Sequence, residues 1–387
     1  MTDPLDPGSA VGLYVHWPYC SRICPYCDFN VVRDRGRIEE QARLVRAILA
    51  DMAAQRALTG PRRLASVFLG GGTPSLMDPA AVAAVIDRAK TLWAPTGGLG
   101  GEIEVTLEAN PTDAEAGRFA ALADAGVNRL SMGVQALDDA SLRMLGRNHT
   151  AAEAMRAVGV ARAAFARLSV DLIYARPGQT EMDWADELNR ALDLGFEHVS
   201  PYQLTIEGGT AFGRAAARGT LVTPGEEASA GLYETTQAVL ETAGFDAYEV
   251  SNHARGAAAR SAHNLHVWRG GDYVGVGPGA HGRLTLDGAR TATAAHRGIA
   301  DYVAGVDDGT PWAERTTLSP AEADEERVLL GLRTVEGVSG QVLERLGLDD
   351  RVEGLVQDGF LARRGGRVVA TARARPVLDG VTRALLA

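Results

Sequence analysis

The 387-residue chain has 39 basic and 49 acidic residues, a formal net charge of −10, and is 46% hydrophobic and 23% charged. Those values suit a soluble globular protein with one large and one small domain, and the acidic balance argues against general affinity for nucleic-acid backbone or an anionic membrane. All three cysteines fall between positions 20 and 27, which excludes a dispersed disulfide framework and points to a metal centre.

Residues 1–10 hold no Lys or Arg and no apolar run, so they read as a flexible tail rather than a signal peptide. No stretch of about eighteen apolar residues could cross a bilayer. A cytoplasmic location is the expectation. Gly12–His16 reads as a short strand running into the cysteine loop, and Gln41–Leu58 has helical spacing at Val45, Ile48, Leu49 and Met52. Ser66–Leu69 is a second strand, followed at once by Gly70-Gly71-Gly72-Thr73-Pro74. Asp78 and Pro79 are placed to cap and open a helix. Ile103–Leu107 is the third strand, and Thr112 with Glu115 forms a capping box for the next helix.

Arg129–Met132, Leu168–Ile173 and His198–Leu204 complete six strands, with helices opened by Thr150 and Glu153 and by Thr180 and Asp183. Strands alternating with helices predict a parallel α/β sheet. Six units are too few to close an eight-stranded barrel, so an open, partial six-unit βα barrel is expected over residues 11–310. Glu108, Gln135, Asp171 and the glycine triplet then share the rim at the C-terminal ends of the strands. Residues of about 205–310 read as a loop-rich closing segment with one helix near Glu226–Ala243. The Gly275-Val-Gly277-Pro-Gly279 stretch reads as part of a turn-rich closure. Beyond residue 310, helices starting at Ser319-Pro320, Ser339 and Val352 precede a hairpin turned by Gly365-Gly366, a winged-helix-like pattern for residues 311–387. From Arg315 onward 11 basic residues face 11 acidic ones, so this unit lacks a basic nucleic-acid footprint.

Iron–sulfur clusters are normally held by four thiolates; three leave one iron open to an exchangeable ligand. Soft sulfur ligands favour such centres, although a zinc site completed by His16, or three structural thiols, would use the same residues. The spacing Cys20-x3-Cys24-x2-Cys27 resembles the radical S-adenosylmethionine (SAM) superfamily. Leu13-Tyr-Val-His-Trp-Pro-Tyr-Cys20, Cys24-Pro-Tyr-Cys27-Asp-Phe, Phe68–Ser75, Glu108-Ala-Asn-Pro111, Gly133-Val-Gln135, Arg147-Asn-His149 and Asp171–Tyr174 together resemble its branch of oxygen-independent coproporphyrinogen III oxidases and heme chaperones. The resemblance covers nearly the whole chain.

That resemblance implies a [4Fe-4S] cluster on Cys20, Cys24 and Cys27, with S-adenosylmethionine on the open iron. By motif, Tyr14, Tyr26, Gly71, Gly72, Thr73, Glu108, Gln135, Arg147 and Asp171 are carried over as its pocket. Glu108 and Asp171 suit ribose hydroxyls or the ammonium, and Arg147 a carboxylate. An Arg147–Asp171 ion pair at the rim is the plainer alternative. The oxidases carry a fourth cysteine where this chain has Phe29, and a longer extension ahead of the first strand; both differences imply the chaperone side of the branch. Heme, and acceptor hemoproteins met peripherally where they are membrane-bound, are the implied partners, and nucleic acid is not. His263-Asn-Leu-His-Val-Trp268 resembles the chaperones' proposed heme element, with Val267 in place of a tyrosine. His263 is the candidate heme contact, and His266 and His281 are reserves. Oxidative decarboxylation of coproporphyrinogen III is the enzymatic alternative.

Overall fold

The computed structural model describes residues 9–93, 103–113 and 116–387. Six strands run parallel in chain order: β1 Ala10–Trp17, β2 Arg63–Gly71, β3 Glu104–Ala109, β4 Arg129–Gln135, β5 Arg167–Tyr174 and β6 His198–Gln203. Their near-continuous burial is the signature of parallel strands covered on both faces. Helices Ile38–Thr59, Pro79–Trp93, Ala116–Asp124, Ala151–Ala164 and Glu181–Leu192 supply the crossovers. Thr150 and Thr180 each complete a capping box. The Asp78 carboxylate accepts from the backbone N–H of Ala80 at 2.8 Å. The Thr112–Glu115 box lies partly outside the described residues, as does most of the expected tail.

The sheet is wider than six strands. Asp272–Val276 (β7) pairs parallel to β1 on its free side, so this part of the expected turn-rich closure is a seventh parallel strand. His281–Leu286 (β8), Ala289–Ala295 (β9) and Trp312–Thr317 (β10) extend that edge in antiparallel fashion. The glycines explain the sharp reversal after β7. Gly277 and Gly279 have φ of 102° and 78°, and a Cβ on Gly275 would lie 2.0 Å from the His281 carbonyl oxygen. His253–Ala254 and Asp246–Ala247 extend the β6 edge. The twelve-stranded sheet begins with β10 and ends with Asp246–Ala247, and these two edges do not pair, so the barrel is open.

The main sheet therefore runs on to residue 317, and the small unit starts at Pro320. Its helices Pro320–Gly331, Gly340–Arg345 and Asp349–Gln357 pack with a three-stranded antiparallel sheet built on the hairpin Leu361–Ala370. They share a core with helix Leu378–Leu386, separate from that of the barrel. A backbone bridge between Glu249 and Thr334 and the ion pair Arg269–Glu336 dock this unit on the barrel.

Candidate functional site

The cysteine loop leaves the C-terminal end of β1. Tyr19–Cys20 pairs parallel with Val32–Arg33, which closes the loop on itself. The glycine triplet at the end of β2 holds it down: Gly72 N–H donates to the Trp17 carbonyl at 2.7 Å and Thr73 N–H to the Tyr19 carbonyl at 2.8 Å. Gly71 N–H donates to Glu108 Oε2 at 2.9 Å. A Cβ on Gly72 would sit 2.6 Å from the Tyr19 carbonyl oxygen, and one on Gly71 the same distance from the His16 ring. These glycines therefore permit a close approach of backbones. With their N–H groups committed, they can offer a ligand only carbonyl oxygens, which suits an ammonium.

Cys20, Cys24 and Cys27 are free thiols. They line a cavity of about 360 Å³ together with Tyr26, Gly71, Gly72, Glu108, Gln135, Arg147 and Asp171. Ten of the thirteen residues singled out in the sequence thus surround one space. Thr73 sits just behind it, its hydroxyl accepting from Asn110 Nδ2 at 2.9 Å. Burial pushes the Cys20 thiol up to about 11, so a metal is needed to hold it as thiolate at neutral pH. Among the described residues no three of His, Cys, Asp and Glu converge on a single-ion site; thiolates that bind different irons of one cluster do not have to. His16 is not available as a fourth ligand, because Nε2 bonds the Asn30 carbonyl at 2.8 Å and Nδ1 the Tyr14 hydroxyl at 3.0 Å.

The opposite wall is electrostatically unusual. Glu108 is pushed up to about 8 by burial and then by the neighbouring Asp171 charge. Asp171 rises to about 6, again chiefly by burial, although the Ser131 hydroxyl donates to it at 3.2 Å. Neither carboxyl forms an ion pair among the described residues, Arg147 included, so the plainer rim-pair reading fails. Arg147 instead donates to Cys24 Sγ at 3.4 Å, to the Gly133 carbonyl at 2.9 Å and to Asn110 Oδ1, and its Nε is buried without a partner. Gln135 reaches the cavity from a left-handed backbone with φ 69°, at a register shift between β4 and β5. Strain of this kind persists where the surroundings enforce it, often at functional sites. Three thiols, two half-buried carboxyls without a cationic partner among the described residues and an orphaned guanidinium nitrogen form a donor set that fits a cluster with a zwitterionic, cationic ligand. Asn110 lies inside a motif noted in the sequence, but only the structure reveals its link between Thr73 and Arg147.

Tyr14 and His263 belong to a second, larger cavity of about 710 Å³. Its wall includes Phe68, Tyr202, Trp268, Tyr273 and His281. Among the described residues, Asp28, Phe29 and Tyr202 line both cavities, so the two adjoin at the position where the oxidases carry their fourth cysteine. His263 lies in the first turn of the helix Ala262–Trp268, which Ser261 caps. The buried Glu104 carboxylate grips that helix end, accepting from Ala262 N–H at 3.0 Å and His263 N–H at 2.9 Å. His263 Nδ1 bonds Ser66 Oγ at 2.8 Å, its ring lies 5.0 Å from Phe68, and Nε2 has no hydrogen bond among the described residues. Burial pushes its pKa down to about 3, so the imidazole is neutral at physiological pH. His266 is spent: Nε2 bonds the Asp272 carbonyl at 2.7 Å and the ring lies away from this cavity. His281 does line it. The small unit contributes Arg333, which stacks 4.6 Å over Trp268 and pairs with buried Glu249 at 3.3 Å.

Residues 14–191 match the family model described as Radical SAM superfamily. The chain is 43% identical to the bovine mitochondrial radical S-adenosyl methionine domain-containing protein 1, over 87% of this chain and 76% of that one. It is 36% identical to the heme chaperone HemW of Mycobacterium tuberculosis, over 98% and 96% of the two chains, and 35% identical to that of Bacillus subtilis over 84% of each. Among solved structures, Escherichia coli coproporphyrinogen III oxidase (HemN) superposes with a TM-score of 0.79 at 20% identity, over 99% of this chain and 91% of that one. That likeness establishes the shared fold.

Proposed function

We propose that this chain, which belongs to the Radical SAM superfamily, binds heme and passes it to acceptor hemoproteins, and that it carries a [4Fe-4S] cluster and S-adenosylmethionine beside the heme. The observation that carries the reading is the larger cavity. It is aromatic, within the size range of small-molecule sites, and supplied with a neutral imidazole whose Nδ1 is engaged and whose Nε2 is not. Iron-ligating histidines use their second nitrogen in this way, to fix ring orientation. Tyr14, Phe68 and Tyr202 would cover the macrocycle, His263 would meet the iron, and Arg297 and Arg333 on the same wall suit propionate carboxylates. Relatives named as heme chaperones at 35–36% identity over most of the chain support it.

In the adjoining cavity Cys20, Cys24 and Cys27 would hold the cluster. Glu108 and Asp171 would receive the ammonium and ribose hydroxyls of S-adenosylmethionine, and Arg147 with Gln135 would bound its remaining polar edge. When bound, the cluster and its ligand supply one-electron chemistry at low potential. The residues around them exclude bulk water, and Glu108, pushed up to about 8, holds its proton until a cation arrives. The oxidase reading retains one specific support, the shared Asp28–Phe29–Tyr202 boundary, across which a reactive group could meet a porphyrinogen. An anaerobic assay of reconstituted protein with reductant, S-adenosylmethionine and coproporphyrinogen III separates the two. The chaperone reading expects no protoporphyrinogen from protein shown to hold its cluster, and multiple turnovers would overturn it.

A further inference from the structure

We propose that the joint between the barrel and the small C-terminal unit is a binding site for a compact polyanion, such as the di- or triphosphate group of a small molecule. A cavity of about 330 Å³ lies there, lined by His266 and Trp268 of the Ala262–Trp268 helix but not by His263. Five arginines line it: Arg63 and Arg269 from the barrel, and Arg327, Arg345 and Arg367 from the small unit. The acidic lining consists of Asp272 and Glu336, and both are already engaged. Asp272 pairs with Arg62 and Arg290, and Glu336 is clasped by Arg269 through two hydrogen bonds.

The arginines are held in place from behind. Arg345 bonds Asp324 through Nε at 2.7 Å and Nη2 at 2.8 Å, and Arg327 shares the same carboxylate at 2.6 Å. Arg367 donates to the Glu336 and Gly337 carbonyls, each at 2.7 Å. Arg63 has no side-chain partner among the described residues. The five guanidinium groups meet two carboxylates here, Glu336 and Asp324, because Asp272 is neutralised by its own two arginines. This excess of positive charge sits in a chain whose formal net charge is −10. Like charges gathered at a concave joint repel one another, and a phosphate chain answers that cost with charge-assisted, bidentate hydrogen bonds. Because its ligands come from both units, the anion would also hold the small unit against the barrel.

Calorimetric titration of the full chain with inorganic pyrophosphate, without heme, tests the site by itself. Saturable binding that weakens with salt is expected, together with a rise in Tm as pyrophosphate is added. Arg63→Ala breaks no side-chain hydrogen bond or ion pair among the described residues and should weaken binding about tenfold; Arg345→Ala should weaken it as well. Arg88→Ala, an exposed arginine on another face, should leave it unchanged. No saturable binding to wild type would overturn the proposal, as would equal affinity in all three variants.

Discussion

Glu108 and Asp171 are the residues whose chemistry departs furthest from that of a surface carboxyl. A buried acid with a raised pKa favours the folded state in its neutral form. Its contribution is full below the ordinary carboxyl range near 4.5 and is lost as pH climbs through the folded value of about 8 for Glu108. The ligand-free protein should therefore lose stability between pH 5 and pH 8, at a slope of up to about 1.4 kcal/mol per pH unit for one such carboxyl. Glu108→Gln should flatten that slope in urea denaturation series; parallel slopes for wild type and variant would contradict the assignment. A cationic ligand prefers the ionised pair, so S-adenosylmethionine affinity should rise over the same interval, with proton release on binding. Ser66 acts at the same scale. Ser66→Ala removes the partner of His263 Nδ1 and should weaken hemin binding by about tenfold with a displaced Soret band. An unchanged spectrum would leave Ser66 a packing residue.

At the scale of elements, the cysteine loop depends on the glycine corner at the end of β2. Gly72→Ala would drive a methyl group into the Tyr19 and Pro18 carbonyls, which are backbone and cannot swing aside. A loss of about 1–3 kcal/mol is expected, along with low iron occupancy after reconstitution. Full occupancy, measured as iron per chain, would show that the loop does not need this corner. The six parallel strands were legible in the sequence because doubly covered strands are unbroken apolar runs bounded by caps. Strand β7 was not: in Asp-Tyr-Val-Gly-Val two of five residues are apolar aliphatics and the glycines read as turn. What makes it a strand is its place beside β1, a partner more than 250 residues away. The cysteine-lined cavity was legible because three closely spaced thiols follow the first strand and Gly71, Glu108 and Gln135 lie at or near strand ends. The assignment of Tyr14 to the other cavity, the loss of His16 and His266 as free ligands, and the role of Ser66 all depend on register and ring contacts that no spacing encodes.

Taken as a whole molecule, the chain holds two adjoining cavities, and the small unit contributes Arg333 to the wall of the larger one. Arg333 reaches across the joint between that unit and the barrel to buried Glu249 and over Trp268, a wall of the larger cavity. Arg333→Ala would leave the Glu249 carboxylate without its cation. A loss of about 1–2 kcal/mol follows, and hydrogen exchange should accelerate in residues 320–386 more than in β1–β6. Uniform acceleration would mean that the pair stabilises the barrel and not the joint. Heme binding in the larger cavity through His263 is tested by hemin titration of wild type and His263→Ala. Saturable binding with a Soret band that the variant weakens and shifts is the predicted result. Equal affinity and an identical spectrum in the variant, with the protein shown to be folded, would contradict it.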